Sequence, residues 1–230
     1  MVHVGLGRDA QPWLEALAAE VPGAETVLLS GIPAQRLIAW ARAEHPDVLV
    51  AASHAGPVAG VLGSTARRLA VSAPCPTLIV PPGLGPAPAP PGAGAPYAHI
   101  ACCIDDSPGS MRALEEARRL RALGPGALSL VHVTPLALIP EPAGGAAPGL
   151  PRDIADDERD WLAAVAAGVP GADAVALEGL PPQAAVAWAR AAGPDLIVAA
   201  AHRGPVERAM LGSFAGHLAR EAPCPVLLTR

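Results

Sequence analysis

The chain contains two copies of one sequence unit, and this internal repeat restricts the fold more than any other feature. Residues 9–56 align without a gap on residues 157–204, and about 27 of roughly 48 aligned positions are identical. Later in each copy, a Leu-Gly-Ser tripeptide and an Ala-Pro-Cys-Pro tetrapeptide recur in the same order, at 62–64 and 73–76 and again at 211–213 and 222–225. A duplication of this kind predicts two domains with the same fold.

A stretch of Pro, Gly and Ala lies between the copies, at residues 81–96. Such a composition cannot bury enough apolar surface to fold, and its prolines stiffen the chain into a spacer. We therefore expect a first domain at residues 1–81, a linker at 82–97 and a second domain at 98–230. Below, the first copy means residues 1–81 and the second copy means residues 98–230.

Short apolar runs alternate with helical patterns along the second copy. They predict strands at 99–104, 128–133, 174–177, 195–200 and 225–229, and helices at 107–120, 154–167, 183–192 and 214–221. Strands that are apolar throughout indicate a sheet covered by helices on both faces. The strand–helix alternation predicts a mostly parallel, doubly wound sheet. The predicted class is α/β, with two flavodoxin-like domains.

The first copy is incomplete at its start. Residues 1–4 match residues 130–133, which form the second strand of the later copy, and nothing in the first copy corresponds to residues 99–126. The first strand is central in a flavodoxin-like order, so its loss would leave a cleft in the sheet. Either this copy lacks its first strand and helix, or the true start lies upstream of Met1; we favour the second interpretation.

Composition excludes several classes of function. All 16 basic residues are Arg, the net charge is −5 and positive charge is nowhere clustered, so we expect no nucleic-acid binding. A chain without Lys has no Walker-type phosphate loop and no Schiff-base chemistry. No apolar stretch is long enough to cross a membrane. The four cysteines fit neither a disulfide framework nor a metal motif, which favours a reduced, cytoplasmic protein without a metal site.

Four short motifs punctuate the second copy: Ile-Asp-Asp-Ser-Pro at 104–108, Leu-Val-His-Val at 130–133, Leu-Gly-Ser at 211–213 and Ala-Pro-Cys-Pro-Val-Leu-Leu at 222–228. Together they resemble the motifs of the universal stress protein family. The resemblance covers the whole second copy and the first copy apart from its missing strand and helix. It implies a five-stranded parallel sheet, and pairing through the last strands, either between the two domains or in a homodimer. It also implies a cytoplasmic stress-response role and, in one branch of the family, ATP binding.

The same resemblance implies a nucleotide site in the second copy for ATP with Mg²⁺. Asp105 would approach the ribose, and Val133 would offer backbone atoms to the adenine. The phosphates would lie at the start of the last helix, where backbone N–H groups and the helix dipole attract anions. The residues expected on this side are Ala200, His202, Gly204, Gly212, Ser213 and Phe214.

Each of these assignments has a purely structural alternative. Asp105 could cap the following turn, as Asp does well before Ser-Pro. Gly212 and Ser213 could form only a turn and a helix cap, and His202 could be a polar loop residue that bonds to the backbone. Two functions therefore stay open: a regulatory, non-enzymatic stress-response module that binds adenine nucleotide, and an interaction protein with a vestigial pocket.

The glycine spacing departs from that of the ATP-binding branch. The family pattern has two glycines after the fourth strand, then nine residues, then Gly-Ser or Gly-Thr. In one alignment Ala200 and Arg203 occupy the two glycine positions. Shifting the alignment by one residue places Gly204 at the second position, but only seven residues then separate it from Gly212. A shorter loop moves main-chain N–H groups away from a phosphate, since each residue spans about 3.3–3.6 Å. The pattern therefore predicts nucleotide binding that is weakened.

Overall fold

The computed structural model describes residues 1–5, 10–53, 61–84, 97–135, 152–202 and 210–230, with the backbone only for 152–155. The strands of these residues are β1 (Val2–Val4), β2 (Val27–Leu29), β3 (Leu49–Ala52), β4 (Thr77–Val80), β5 (His99–Cys103), β6 (Ala127–Pro135), β7 (Ala172–Gly179), β8 (Leu196–Ala200) and β9 (Val226–Thr229). The helices are α1 (Ala10–Ala19), α2 (Pro33–Glu44), α3 (Ser64–Ser72), α4 (Pro108–Arg121), α5 (Arg152–Ala167), α6 (Pro181–Ala192) and α7 (Ser213–Glu221).

The second copy forms the parallel sheet that its sequence predicts. Its five strands lie in the order β9-β8-β5-β6-β7, and every neighbouring pair is parallel. The first strand of the copy, β5, is therefore central, with β6 on one side and β8 on the other. Most side chains of β5, β8 and β9 are buried, as expected for strands that are apolar throughout.

Helices cover both faces of this sheet. Cys102 and Cys103 are adjacent on β5, and they belong to different core clusters because successive side chains of a strand point to opposite faces. The cluster of Cys103 includes residues of α6 and α7, whereas that of Cys102 includes residues of α4 together with Leu162 of α5. The fold is therefore α/β and doubly wound, as predicted.

The first copy is divided between two sheets. β1 and β2 form a separate parallel pair, and β3 and β4 form another parallel pair. The last strand of this pair, β4, lies antiparallel to β9, so the two copies share one seven-stranded sheet in the order β3-β4-β9-β8-β5-β6-β7. In the second copy, β5 lies between the two corresponding pairs of strands, with β6 and β7 on one side and β8 and β9 on the other. The described residues contain no counterpart of β5 in the first copy.

The first-copy tryptophan Trp13 is more exposed than its counterpart in the second copy: Trp13 on α1 is 54% exposed. Trp161 on α5 packs against the core cluster that contains residues of β5 and α4. The described part of the first copy has no equivalent of these two elements beside Trp13. Its ring still contacts His3 edge-on, just as Trp161 contacts His132.

The predicted start of α4 is confirmed. Ser107 is the N-cap, its hydroxyl accepts a hydrogen bond from the N–H of Ser110, and Pro108 occupies the first turn. This cap fixes the direction in which the chain leaves the end of β5. Of the helices in the described ranges, none is long and apolar enough to cross a membrane.

Replacing the α4 cap should measurably destabilise the protein. We expect Ser107→Ala to lower the free energy of unfolding by about 1 kcal/mol, because the buried N–H of Ser110 loses its side-chain acceptor and keeps only the carbonyl oxygen of residue 107. Urea denaturation followed by circular dichroism measures the change. Ser213→Ala is the control, since Ser213 is exposed and makes no cap hydrogen bond. Equal destabilisation by both variants would contradict the capping role.

Candidate functional site

The direction of winding of the second-copy sheet reverses between β5 and β8. From β5 the chain winds outward through β6 and β7 on one side, and it then crosses to β8 and β9 on the other side. In open parallel sheets, ligands bind at this reversal point, outside the carboxyl ends of the strands. Asp105 follows β5, and His202 follows β8. The topology therefore brings the two predicted ends of the nucleotide site to one edge of the sheet.

The register between β5 and β8 aligns Asp105 with Ala201, the residue that contacts the start of the last helix. Cys102 lies opposite Val198, so Asp105 and Ala201 each follow that pair by three residues. The N–H of Gly212 donates to the carbonyl oxygen of Ala201 at 2.9 Å. Adjacent strands are about 4.8 Å apart. Asp105 and Ala201 therefore follow neighbouring strands at the same level, and Gly212 is bonded to Ala201.

The main chain of Val133 points to the side of β5, at the same edge of the sheet. Cys103 lies opposite Val131, and the N–H of Ile104 donates to the oxygen of Val131 at 2.9 Å. In a parallel ladder, alternate residues bond to the same neighbouring strand, so the N–H and C=O of Val133 point to the side of β5. β5 ends at Cys103, whereas β6 continues to Pro135. Val133 thus presents its main chain beyond the end of β5.

Asp105 is held by the turn that follows β5. Its Oδ1 accepts a hydrogen bond from the N–H of Ser107 at 3.0 Å. The hydroxyl of Ser110 accepts from the N–H of Asp105 at 3.1 Å and donates to the carbonyl oxygen of Asp105. The turn-capping role of Asp105 is therefore present. The same bonds fix the half-buried carboxylate at the edge of the sheet, where its contact with a ribose stays a prediction.

His132 fixes the residue before Asp105. Its Nδ1 donates to the carbonyl oxygen of Ile104 at 2.9 Å, and its Nε2 lies 3.3 Å from Oε2 of Glu158. The ring also contacts Trp161 edge-on, with the centroids 5.2 Å apart. His132 is buried and hydrogen-bonded in the core, as its position in an apolar strand predicts. It therefore connects β6, the end of β5 and α5 beneath the candidate site.

Gly212 begins the last helix in close contact with β8. It is the N-cap of α7 and has no side chain to cap the first turn. Its φ of −57° is open to other residues, so the backbone angle does not require Gly. A Cβ at this position would lie 3.2 Å from the oxygen of Ala201, which is a tight contact. The first N–H groups of α7 have no acceptor within the helix and carry the positive end of its dipole.

The other predicted residues differ in their surroundings. Ala200 ends β8 opposite Thr229, and His202 is buried. Ser213 is exposed at the first position of α7. The ring of Phe214 packs against the core cluster of α6 and α7, so only its main-chain N–H belongs to the candidate phosphate site. Gly204 lies outside the described residues.

Sequence reasoning missed two residues that support the site. The carboxylate of Asp195 accepts from the N–H of Ala98 at 2.6 Å and from the N–H of His99 at 3.0 Å, which fixes the start of β5 against β8. Ser110 forms the turn bonds around Asp105. The Pro-Asp pair that recurs in both copies pointed to the first of these residues. No repeat could reveal Ser110, because its segment has no counterpart in the first copy.

The cysteines near the sheet are not suited to nucleophilic chemistry. Burial raises the pKa of Cys103 to about 12, and burial together with Asp195 raises that of Cys224 to about 12. Burial also raises the pKa of Cys102 well above 9.0. The thiolate is the reactive form, so these thiols stay protonated and inert near neutral pH. In the described ranges, no group of three His, Cys, Asp or Glu side chains could hold a metal ion.

The chain belongs to the universal stress protein family, whose model matches residues 6–81 and 96–230. A solved universal stress protein from Archaeoglobus fulgidus is 19% identical, with a TM-score of 0.70 over 96% of this chain and 78% of that one. A protein of unknown function from Pseudomonas aeruginosa is 16% identical, with a TM-score of 0.72 over 99% of this chain and 80% of that one. At these identities the structures support the fold alone. A comparison with curated protein sequences finds no match.

Removal of the His132 donor should destabilise the second copy. In His132→Phe the ring contact with Trp161 is retained, but the oxygen of Ile104 loses its hydrogen bond. We expect the free energy of unfolding to fall by about 1–3 kcal/mol, measured by urea denaturation. The matched control is His3→Phe in the first copy, where His3 contacts Trp13 from a half-buried position and a smaller change is expected. A loss for His3→Phe as large as for His132→Phe would contradict this explanation.

Proposed function

We propose that the protein is a regulatory, non-enzymatic stress-response module that binds an adenine nucleotide, as ATP with Mg²⁺, in its second copy. The nucleotide would lie across the carboxyl ends of β6, β5 and β8. Its base would contact the main chain of Val133, its ribose would contact Asp105, and its phosphates would lie at the start of α7. The unreactive cysteines are consistent with a reduced, cytoplasmic setting.

One observation carries this proposal: three chain segments reach the same level at the carboxyl edge of the sheet. Val133 and Asp105 follow the pair Val131 and Cys103 by two residues each, and Ala201 follows Val198 by three. The start of α7 is then fixed to Ala201 by the N–H of Gly212. A hydrogen-bonding main chain, a carboxylate and a helix N-terminus thus line one edge in the order base, ribose and phosphate.

The first copy offers only the phosphate side of such a site. Gly63 is the N-cap of α3, and its N–H donates to the oxygen of Ser53 at 2.6 Å, as that of Gly212 donates to Ala201. Among the described residues, the first copy has no equivalent of β5, the strand that Asp105 follows. A helix N-terminus without a carboxylate for the ribose gives little selectivity for a nucleotide. We therefore assign the proposed site to the second copy.

A thermal-shift titration with ATP and Mg²⁺ tests the proposal. A ligand at 100 times its dissociation constant stabilises the folded state by about 2.7 kcal/mol. We expect Gly212→Val to abolish this shift, because the added side chain lies against Ala201 and displaces the start of α7. Gly63→Val alters the matching position of the first copy and should retain the shift. The melting temperature without nucleotide shows whether each variant is folded.

Three results would contradict the proposal. The wild-type protein could show no shift at millimolar nucleotide, which would favour an interaction protein with a vestigial pocket. A folded Gly212→Val variant could retain the full shift, which would place the pocket elsewhere. Equal loss in Gly63→Val would show that the effect does not come from the second copy. If Gly212→Val does not fold, Gly212→Ala is the second variant, because its smaller side chain crowds Ala201 less.

A second experiment separates the two roles of Asp105. Asp105→Asn keeps an oxygen that can accept from the N–H of Ser107, so the turn is retained. It removes the charge that favours hydrogen bonds from ribose hydroxyls. We expect wild-type protein to bind ATP more tightly than 2′-deoxy-ATP, and Asp105→Asn to lose most of this difference, measured by isothermal titration calorimetry. An unchanged preference in the variant would limit Asp105 to its turn.

A further inference from the structure

His132 is adjacent to both residues that the proposed site uses for the nucleoside. It precedes Val133 on β6, and its Nδ1 lies 2.9 Å from the carbonyl oxygen of Ile104, the residue before Asp105. We call residues 104–107 the Asp105 turn. A carbonyl oxygen can only accept a hydrogen bond. Nδ1 of the buried ring therefore carries a proton whenever it holds this turn.

The second nitrogen of the ring faces another acceptor. Nε2 of His132 lies 3.3 Å from Oε2 of Glu158 on α5. An ionised carboxylate only accepts hydrogen bonds, and a neutral imidazole has a single N–H. With that N–H on Nδ1, the lone pair of Nε2 would point at the carboxylate. The two contacts together thus need one proton more than a neutral ring beside an ionised carboxylate supplies.

Loss of that proton leaves one N–H for two acceptors. Hydrogen bonds to an ionised acceptor are roughly twice as strong as those to a neutral one. The remaining proton would therefore favour Glu158 over the carbonyl oxygen of Ile104. The ring would keep its contact with α5 and release the residue before Asp105. The Asp105 turn would then lose its bond to β6.

The charged side chains of α5 and β7 near the ring are paired with one another. Arg159 bonds to Asp156 on α5 and to Glu178 on β7, each at 2.8 Å. The residue of β7 that lies opposite His132 is Ala176, which carries no charge. Of the described residues on these two elements, Glu158 is the acid within hydrogen-bond distance of the ring.

The other elements around the ring are the Asp105 turn and α4. Oδ1 of Asp105 accepts a hydrogen bond from the N–H of Ser107, and Asp106 is exposed. The α4 residues that enter the core cluster on this face of the sheet are apolar, namely Ala113, Leu114 and Ala117. The proton between His132 and Glu158 is therefore the one that decides whether the ring can hold the turn.

The first copy contains the same contact between His and Trp without the acid. His3 meets Trp13 edge-on, with the ring centroids 5.4 Å apart. Ala10 occupies the position of Glu158 in the aligned repeat. The acid is thus not required for the packing that the two copies share. It occurs in the copy to which we assign the nucleotide site.

We propose that His132 is a positioning residue for the nucleoside side of the site, and that it holds the Asp105 turn only while its ring carries two protons. Nucleotide affinity then falls as the pH rises through the range in which an imidazole loses its charge, about pH 5 to 8. Glu158 makes the hold depend on the proton, because it competes for the last N–H of the ring. This regulation rests on the proposed nucleotide function.

Glu158→Gln separates the contact from the proton. The Gln amide can donate its own N–H to Nε2, so a neutral ring can keep its proton on Nδ1 for Ile104. Glu158→Ala is a second variant, since it removes the competing acceptor. In both variants the turn should stay held as the pH rises. Glu178→Gln is the matched control, because Glu178 bonds to Arg159 and its loss should leave the pH dependence unchanged.

NMR spectroscopy of the full chain without nucleotide tests the hold directly. Between about pH 5.5 and 8, the amide signals of Asp105 and Ser107 should shift or broaden in the wild type as His132 loses a ring proton. They should stay unchanged in Glu158→Gln, and Glu178→Gln should follow the wild type. The chain has seven histidines, so the difference between the variants identifies the ring that is responsible.

Isothermal titration calorimetry with ATP and Mg²⁺ tests the effect on the site. Between the same two pH values, affinity should fall about two- to tenfold more in the wild type than in Glu158→Gln, the factor for one hydrogen bond. Glu178→Gln should again follow the wild type. Protonation of the ATP phosphates also changes in this range, but it is the same for every protein compared. Circular dichroism shows that each variant is folded at both pH values.

The proposal is wrong if the amides of the Asp105 turn respond to pH equally in Glu158→Gln and in the wild type. It is also wrong if only the wild-type turn responds but ATP affinity falls equally in both proteins. A third outcome separates the two proposals: the turn responds as expected, but ATP binds to none of the proteins at either pH. The nucleotide function and its regulation would then be wrong, whereas the proton-dependent turn would stand.

Discussion

The central position of β5 determines most of the structure of the second copy. β5 supplies the pairing edges for both β6 and β8, and its alternating side chains enter the core clusters on both faces of the sheet. Asp195 holds its first N–H groups, and His132 holds the carbonyl oxygen of Ile104 just after its end. The strand is therefore fixed at both ends. Asp105, which follows Ile104, is thereby held at the edge of the sheet.

The antiparallel contact between β4 and β9 explains how an incomplete first copy can still be ordered. Thr77 pairs with Leu228 and Ile79 with Val226. Ile79 is fully buried in a cluster that consists largely of second-copy residues, and Leu78 packs against the cluster on the other face. The second half of the first copy thus shares the core of its neighbour. In the other half of the first copy, β1 pairs with β2 and packs on α2.

The repeat and the apolar runs were sufficient to predict the fold class, the central strand and the division of the first copy. They were less informative at the edge of the sheet. β7 was predicted at 174–177 but extends from Ala172 to Gly179, because its outer residues Asp173 and Glu178 are polar. An edge strand has one open side, so its polar side chains can reach solvent or, for Glu178, pair with Arg159. Trp13 and Trp161 likewise differ in burial although their sequences match, because the described part of the first copy has no counterpart of β5 and α4.

The two halves of the candidate site were predictable to different degrees because different physical features determine them. Asp105 and Val133 are positioned by the β5–β6 ladder, whose register follows from strand pairing and does not depend on the loop before α7. The phosphate side depends on that loop, in which the glycine spacing departs from the family pattern and Gly204 lies outside the described residues. A shortened loop would reduce contacts to phosphate without displacing the ribose and base positions. Weakened binding by this chain should therefore arise mainly on the phosphate side, with recognition of the nucleoside retained.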